Sequence, residues 1–153
     1  MKLMNNVTVP PFRYENVVRP WGQYGLYADN EKCTTKILYI KPNELLSLQY
    51  HFKRDQFYLL LDDNFIIQYS SVPIDPTIAN IEDDYTRITM FQNFLQEHLQ
   101  YVEGKEGDMF GFHKFVVHRA MYTGNRQYGR ILDIAFGDND ESDIVRISDK
   151  YGR

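Results

Sequence analysis

The side chains able to do chemistry in this chain are few. It has four histidines, at positions 51, 98, 113 and 118, and one cysteine, Cys33. An imidazole can ligate a metal or move a proton near neutral pH. Gln49 and His51 stand two residues apart in a run, 46–51, that reads as a strand. Residues two apart on a strand face the same side, so the amide and the imidazole share one face. His118 closes a later strand-like run and is followed directly by Arg119. His98 falls on the apolar stripe of a predicted helix and is read as a packed residue, while His113 belongs to no motif. Cys33 can form no intramolecular disulfide, which fits a reducing compartment.

The elements that must hold these groups are mostly strands. Pro10 and Pro11 each lack a backbone donor and restrict the residue before them, so residues 1–18 are expected to be an irregular arm. From 32 to 42 the β-branched and aromatic run Thr34, Thr35, Ile37, Leu38, Tyr39 and Ile40 predicts a strand. Further short strands are predicted over 46–51, 56–61 and 64–69, with Asp62-Asp63-Asn64 as a tight hairpin turn. Residues 71–85 read as loop. Thr89 to Gln92 then has the form of a capping box, and Phe91, Phe94, Leu95, His98 and Val102 recur at helical spacing. These predict a helix over 89–103, stopped by Gly104. Strands resume over 109–112, 115–118 and 129–136, and a short segment at 143–146 closes the chain. Short strands at this spacing predict an antiparallel barrel or sandwich.

Composition narrows the class. A chain of 153 residues suits one domain with its own core, and an aromatic content of 15% suits a strand-rich one. The net charge is −4 and no Lys/Arg cluster lines a face or tail, which argues against a nucleic-acid partner. No apolar run approaches membrane-spanning length, and the first residues carry no signal-like apolar stretch. A soluble, cytoplasmic protein is expected.

Several short motifs occur in a fixed order: Arg19-Pro20-Trp21-Gly22, then Leu46-Ser47-Leu48-Gln49-x-His51, then His118-Arg119, then Asp143-Ile144-Val145-Arg146 and a closing Tyr151-Gly152-Arg153. Together they resemble the cupin domain of type II phosphomannose (mannose-6-phosphate) isomerases, the C-terminal domain of bifunctional mannose-1-phosphate guanylyltransferase/mannose-6-phosphate isomerases. That family reads RPWG, LSLQ-x-HHHR-x-EHW, HR, DDI-x-R and YGR. The resemblance covers roughly 19–70 and 107–153. It implies a mostly β fold, a double-stranded β-helix or jelly-roll-like cupin barrel. The arm would then be residues 1–18 and the cupin domain 19–153, with an insertion at about 71–106 that carries the helix. No guanylyltransferase nucleotide-binding signature is present, so nucleotidyl transfer is not expected.

By resemblance, the family takes its metal ligands from a H-x-H-x-x-E run and a distant His. His51 and His118 match two of these positions, Lys53 stands at the second His and Gln56 at the Glu. A lysine repels a divalent cation, and an amide is a poorer ligand than a carboxylate. The remaining candidate set for a divalent metal, zinc by ligand type, is Gln49, His51 and His118, with Gln56 beside them. Lys53 is the candidate catalytic group, a fixed positive charge in place of the missing cation. Arg54 and Arg119 match family arginines and are the candidates for binding a sugar phosphate through paired hydrogen bonds. A strand-end ion pair is the competing role for both. Arg19 and Arg153 sit beside Trp21 and Tyr151 and are read as packing at a barrel end. Two functions follow: an isomerase-like cupin acting on a phosphorylated sugar, mannose 6-phosphate by resemblance, or a non-catalytic sugar or sugar-phosphate binding cupin with a degraded metal site. A homodimer is the expected assembly, again by resemblance.

Overall fold

The computed structural model describes residues 15–28, 33–138 and 140–152. Alternating runs of β-branched and aromatic residues form eleven strands among them: β1 (Glu15–Arg19), β2 (Gly22–Ala28), β3 (Cys33–Ile40), β4 (Leu48–His51), β5 (Arg54–Leu60) and β6 (Phe65–Ser70), followed by β7 (Leu99–Gly104), β8 (Met109–Phe112), β9 (His118–Tyr122), β10 (Gly129–Gly137) and β11 (Ile144–Ser148). They make two antiparallel sheets, in the orders β1-β2-β3-β10-β5-β8 and β11-β4-β9-β6-β7. The sheets face each other across a core that includes Ile40, Leu60, Phe65, Ile67, Tyr122 and Ile131. Strand alternation puts Thr34, Lys36, Leu38 and Ile40 on one face of β3, and on β10 it does the same for Ile131, Asp133 and Ala135. The register then stacks Leu38, Ile131 and Leu60 in one layer, Lys36, Asp133 and Tyr58 in the next, and Thr34, Ala135 and Gln56 beyond that. The interior therefore changes from apolar to polar along its strands.

Gly22 ties β2 to β3. Its φ of 152° disfavours a side chain, and a Cβ there would sit 1.9 Å from the Tyr39 carbonyl oxygen. Trp21 beside it is buried in the core, as the packing reading of that motif expects.

A 3-10 helix (Pro76–Asn80) and one α-helix, α1 (Asp84–His98), fill the segment between β6 and β7. Phe91, Phe94 and Leu95 of α1 pack with Leu48, Tyr50 and Val117 in a second cluster on the outer side of the second sheet. Apolar area thus holds the helix to the barrel wall, away from its interior.

Several expectations are corrected here. The helix starts five residues early because Asp83, not Thr89, caps it by accepting the Thr86 amide. It ends at His98, and Leu99–Gly104, with Val102, forms β7 because the edge of β6 offers a full ladder of backbone partners. Asp62-Asp63-Asn64 is not a hairpin turn, since β5 and β6 lie in different sheets. Instead Asp62 is buried and accepts from Arg126 and Arg130, and these guanidinium bonds hold its carboxyl below the usual range. The strand expected over 115–118 begins at His118, after a turn in which Phe115 takes a φ of 67°. Of the expected arm, residues 1–14 lie outside the described residues and 15–18 belong to β1. Arg153 also lies outside them.

Candidate functional site

His51 and His118 meet inside the barrel. They come from neighbouring strands of the second sheet, at 2% and 1% exposure, with ring centroids 5.4 Å apart. His118 stacks on Phe112 at 4.3 Å. The two Nε2 atoms converge on the side-chain amide of Gln56, which reaches across from β5: 2.8 Å from His51 and 2.7 Å from His118. The other end of that amide lies 2.8 Å from Asp133 Oδ1. Nδ1 of His118 lies 2.9 Å from the Val116 carbonyl oxygen, and Nδ1 of His51 faces Asp143, whose Oδ2 is 4.0 Å away.

Burial dominates the electrostatics of this group. It pushes His118 down to about 4 and His51 to about 2, the latter helped by repulsion from His118 and Arg54. Both imidazoles are neutral at pH 7. Burial also raises the carboxyl of Asp133, against the opposing pull of Lys36, Gln56 and Arg54.

The other predicted residues separate. Gln49 shares the inward face with His51 and pairs in register with His118, but its amide oxygen accepts the Ser47 hydroxyl at 2.7 Å. Lys53 leaves the interior. Asp143 Oδ1 accepts the backbone amides of both Phe52 and Lys53 at 3.0 Å, which breaks the strand between β4 and β5. Alternation fails across that break, so Lys53 is 55% exposed and faces Asp138 at 3.9 Å, while Arg54 turns inward and is buried. The structure thus gives Lys53 no place near the histidines. Arg119 follows His118 on β9 and points to the opposite side, where its Nε donates to Gln68 beside Leu45, Ile66 and Tyr101. Arg54 and Arg119 do not share a site.

The Gln56 group forms part of the floor of a small cleft of about 80 Å³ that opens from the polar end of the barrel. Arg19, Lys36, Arg54 and Arg146 line it, with Trp21, Tyr24 and Tyr58 as aromatic walls and Asp133 and Glu141 as the acids. Arg19 and Lys36 are steadied against the Tyr24 ring, at 5.4 and 5.1 Å from its centroid. Arg146 is held by Glu141 at 3.3 Å, and Arg54 reaches the Asp140 carbonyl at 3.5 Å.

Reading by motif missed Lys36 and Asp133, gave Arg146 no role although it ends a quoted motif, and took Arg19 for packing. The signal for the first two was present in the chain. Lys36 and Asp133 each occupy an inward position of a strand whose other inward residues are mostly apolar, and a charge there needs a reason.

The donor set does not fit the divalent metal that the resemblance implies. Two imidazoles and a neutral amide converge, with no carboxylate among them. Among the described residues no three of His, Cys, Asp or Glu come together as a metal site. A tetrahedral zinc site needs more and better donors than these.

Comparison with known proteins agrees with the fold. Residues 11–71 match the family described as mannose-6-phosphate isomerase C-terminal, which covers the first of the two resembling segments. No curated protein matches the chain in sequence. Among solved structures, the capsular polysaccharide assembling protein CapF from Staphylococcus aureus superposes with a TM-score of 0.58 at 11% identity, over 88% of this chain and 32% of that one. The chain therefore spans about a third of CapF. KdgF from Halomonas sp. superposes at 0.54 with 11% identity, covering 85% of this chain and 90% of its own. A Streptomyces PAC13 variant with uridine reaches 0.62 at 7% identity, over 92% of both chains. The chain is a cupin-type β-barrel. Among the described residues no helix is long and apolar enough to cross a membrane.

Proposed function

We propose that this cupin barrel binds an anionic sugar, a phosphorylated one by its family match, in the cation-lined cleft at its polar end. One observation carries the reading: four basic side chains converge on one cleft in a protein of net charge −4. Guanidinium and ammonium groups are the donors that phosphate oxygens require. Asp133 and Glu141 are the two acids opposite them, so basic groups outnumber acids in the cleft. Trp21 and Tyr24, stacked at 6.4 Å, supply an apolar wall for the C–H face of a sugar ring. Arg54 and Lys36 would hold the anionic group, with Ser47 and Gln49 offering hydrogen bonds to hydroxyls. Arg119, outside the cleft, has no part in it.

A second reading, aldose–ketose isomerisation of mannose 6-phosphate, is favoured by the family match over residues 11–71. In the family's chemistry a divalent ion would steady the enediolate-like charge, and the residues present do not fit one. Turnover would then have to rest on the cations of the cleft.

Thermal unfolding separates the readings. Mannose 6-phosphate should raise the melting temperature in chelator-treated protein, while mannose and inorganic phosphate raise it less. A coupled assay for fructose 6-phosphate should show no turnover above a His51→Ala control. No stabilisation by any of the three would overturn the binding reading. Turnover lost in His51→Ala would establish the isomerase.

A further inference from the structure

We infer that Gln56 stands where a cupin metal would stand: its amide nitrogen donates one hydrogen to Nε2 of His51 and one to Nε2 of His118, and its oxygen accepts the proton of the Asp133 carboxyl. The assignment follows from counting donors and acceptors. The Val116 carbonyl can only accept, so Nδ1 of His118, 2.9 Å away, carries a hydrogen. A buried His118 is neutral, so its Nε2 carries none and presents a lone pair. The Gln56 atom 2.7 Å from that lone pair must therefore be the donor nitrogen. An amide nitrogen has two hydrogens, and the second faces Nε2 of His51 at 2.8 Å. His51 then keeps its hydrogen on Nδ1, toward Asp143.

The amide oxygen is left 2.8 Å from Asp133 Oδ1. Two oxygens at that distance need a hydrogen between them, and the carboxyl is the group that can supply it. The orientation in which the amide is placed, with Oε1 toward both histidines and Nε2 toward Asp133, fits the heavy atoms equally well, so hydrogen bonding decides between the two. In that alternative both Nε2 atoms donate to the oxygen. His118 becomes a buried cation and Asp133 a buried anion, held apart by a neutral amide. Burial works against both charges, and against Asp133 it outweighs Lys36 and Arg54, the cations nearest it.

The network is thus neutral throughout and satisfied at its centre. His118 has the form that ligates metals, with Nδ1–H held from behind by the Val116 carbonyl, and both Nε2 atoms aim at one point. An amide fills that point. A metal could enter only by breaking both bonds, and it would gain no carboxylate. The inference holds whichever ligand the cleft takes, because it concerns the floor alone.

Nitrogen NMR of full-length protein labelled at its histidines tests it directly. Nε2 of both His51 and His118 should resonate as unprotonated and Nδ1 as protonated at pH 7, with no change on adding zinc chloride. A protonated Nε2 on both rings, or zinc-induced shifts lost in His51→Ala, would overturn the inference. Gln56→Glu supplies the second measurement. It should bind zinc at least about tenfold more tightly than the native chain, the low end of what a metal's outer partners alone exert. If Gln56→Glu binds zinc no better than the native chain, Gln56 is not what displaces the metal and the inference fails.

Discussion

The two halves of the barrel interior are built by the same strands and carry opposite chemistry. Toward one end β3, β10 and β5 contribute Leu38, Ile131 and Leu60, and two residues along they contribute Lys36, Asp133 and Tyr58, then Gln56. The alternation continues unbroken from one half to the other, so strand period decides which residues point inward and leaves their polarity open. The apolar half needs only shape, since any filling of the right volume serves. The polar half must pair the donors and acceptors it buries, and around Gln56 it does so by placing an amide between two neutral imidazoles and a carboxyl.

This contrast is broken most severely from the apolar side. Ile131→Ala should cost about 4 kcal/mol in denaturant unfolding, as large-to-small changes in a closed core do. It should leave the pH dependence of stability unchanged. A cost under about 1 kcal/mol would mean that the apolar half is loosely packed.

Acid probes the polar half. Both histidines titrate in the folded protein below the ~6.5 of an unfolded imidazole. The unfolded chain therefore takes up protons first. The stability these rings contribute is whole above pH ~6.5 and is lost progressively below it, toward about 4 for His118. Asp133 runs the other way, because its raised pKa gives stability that is whole below ~3.8 and lost as pH rises through its folded value. The two imidazoles alone would weaken the native protein by about 4 kcal/mol between pH 7 and pH 5, and Asp133 offsets part of this, so urea unfolding should find the protein weaker at pH 5 by less than about 4 kcal/mol. A protein more stable at pH 5 than at pH 7 would show that the imidazoles are not held neutral.

The smallest effect concerns the ligand. Lys36→Met keeps the length of the side chain and removes its charge. It should weaken mannose 6-phosphate binding by about tenfold, about the value of one charge-assisted hydrogen bond, with little change in stability. Arg119→Ala, outside the cleft, should change that binding by less than about twofold. Titration calorimetry would read both, and a reversal of the two effects would move the site to the outer wall.

What the sequence made legible follows the same division. β3 and β10 were found nearly to the residue, because period and composition agree along them. The convergence of His51 and His118 was legible from the order of the motifs. The helix was misplaced because Thr89 and Gln92 mimic a cap that Asp83 provides. Lys53 is drawn inward by its match to the second His of the family's H-x-H-x-x-E run, and only Asp143, 90 residues away, breaks the strand and turns it out. No local pattern carries that contact. Asp133 and Lys36 were readable as charges on inward faces, although which partners they find depends on how the sheets stack.

The central claim is that a metal-free, cation-lined cleft holds an anionic sugar. A crystal structure of chelator-treated protein with mannose 6-phosphate tests it most directly. The account predicts the phosphate within hydrogen-bond distance of Arg54 or Lys36, the sugar ring near Trp21 and Tyr24, and Gln56 still bridging His51 and His118. A phosphate at Arg119, or a metal ion between the two histidines with Gln56 displaced, would contradict it.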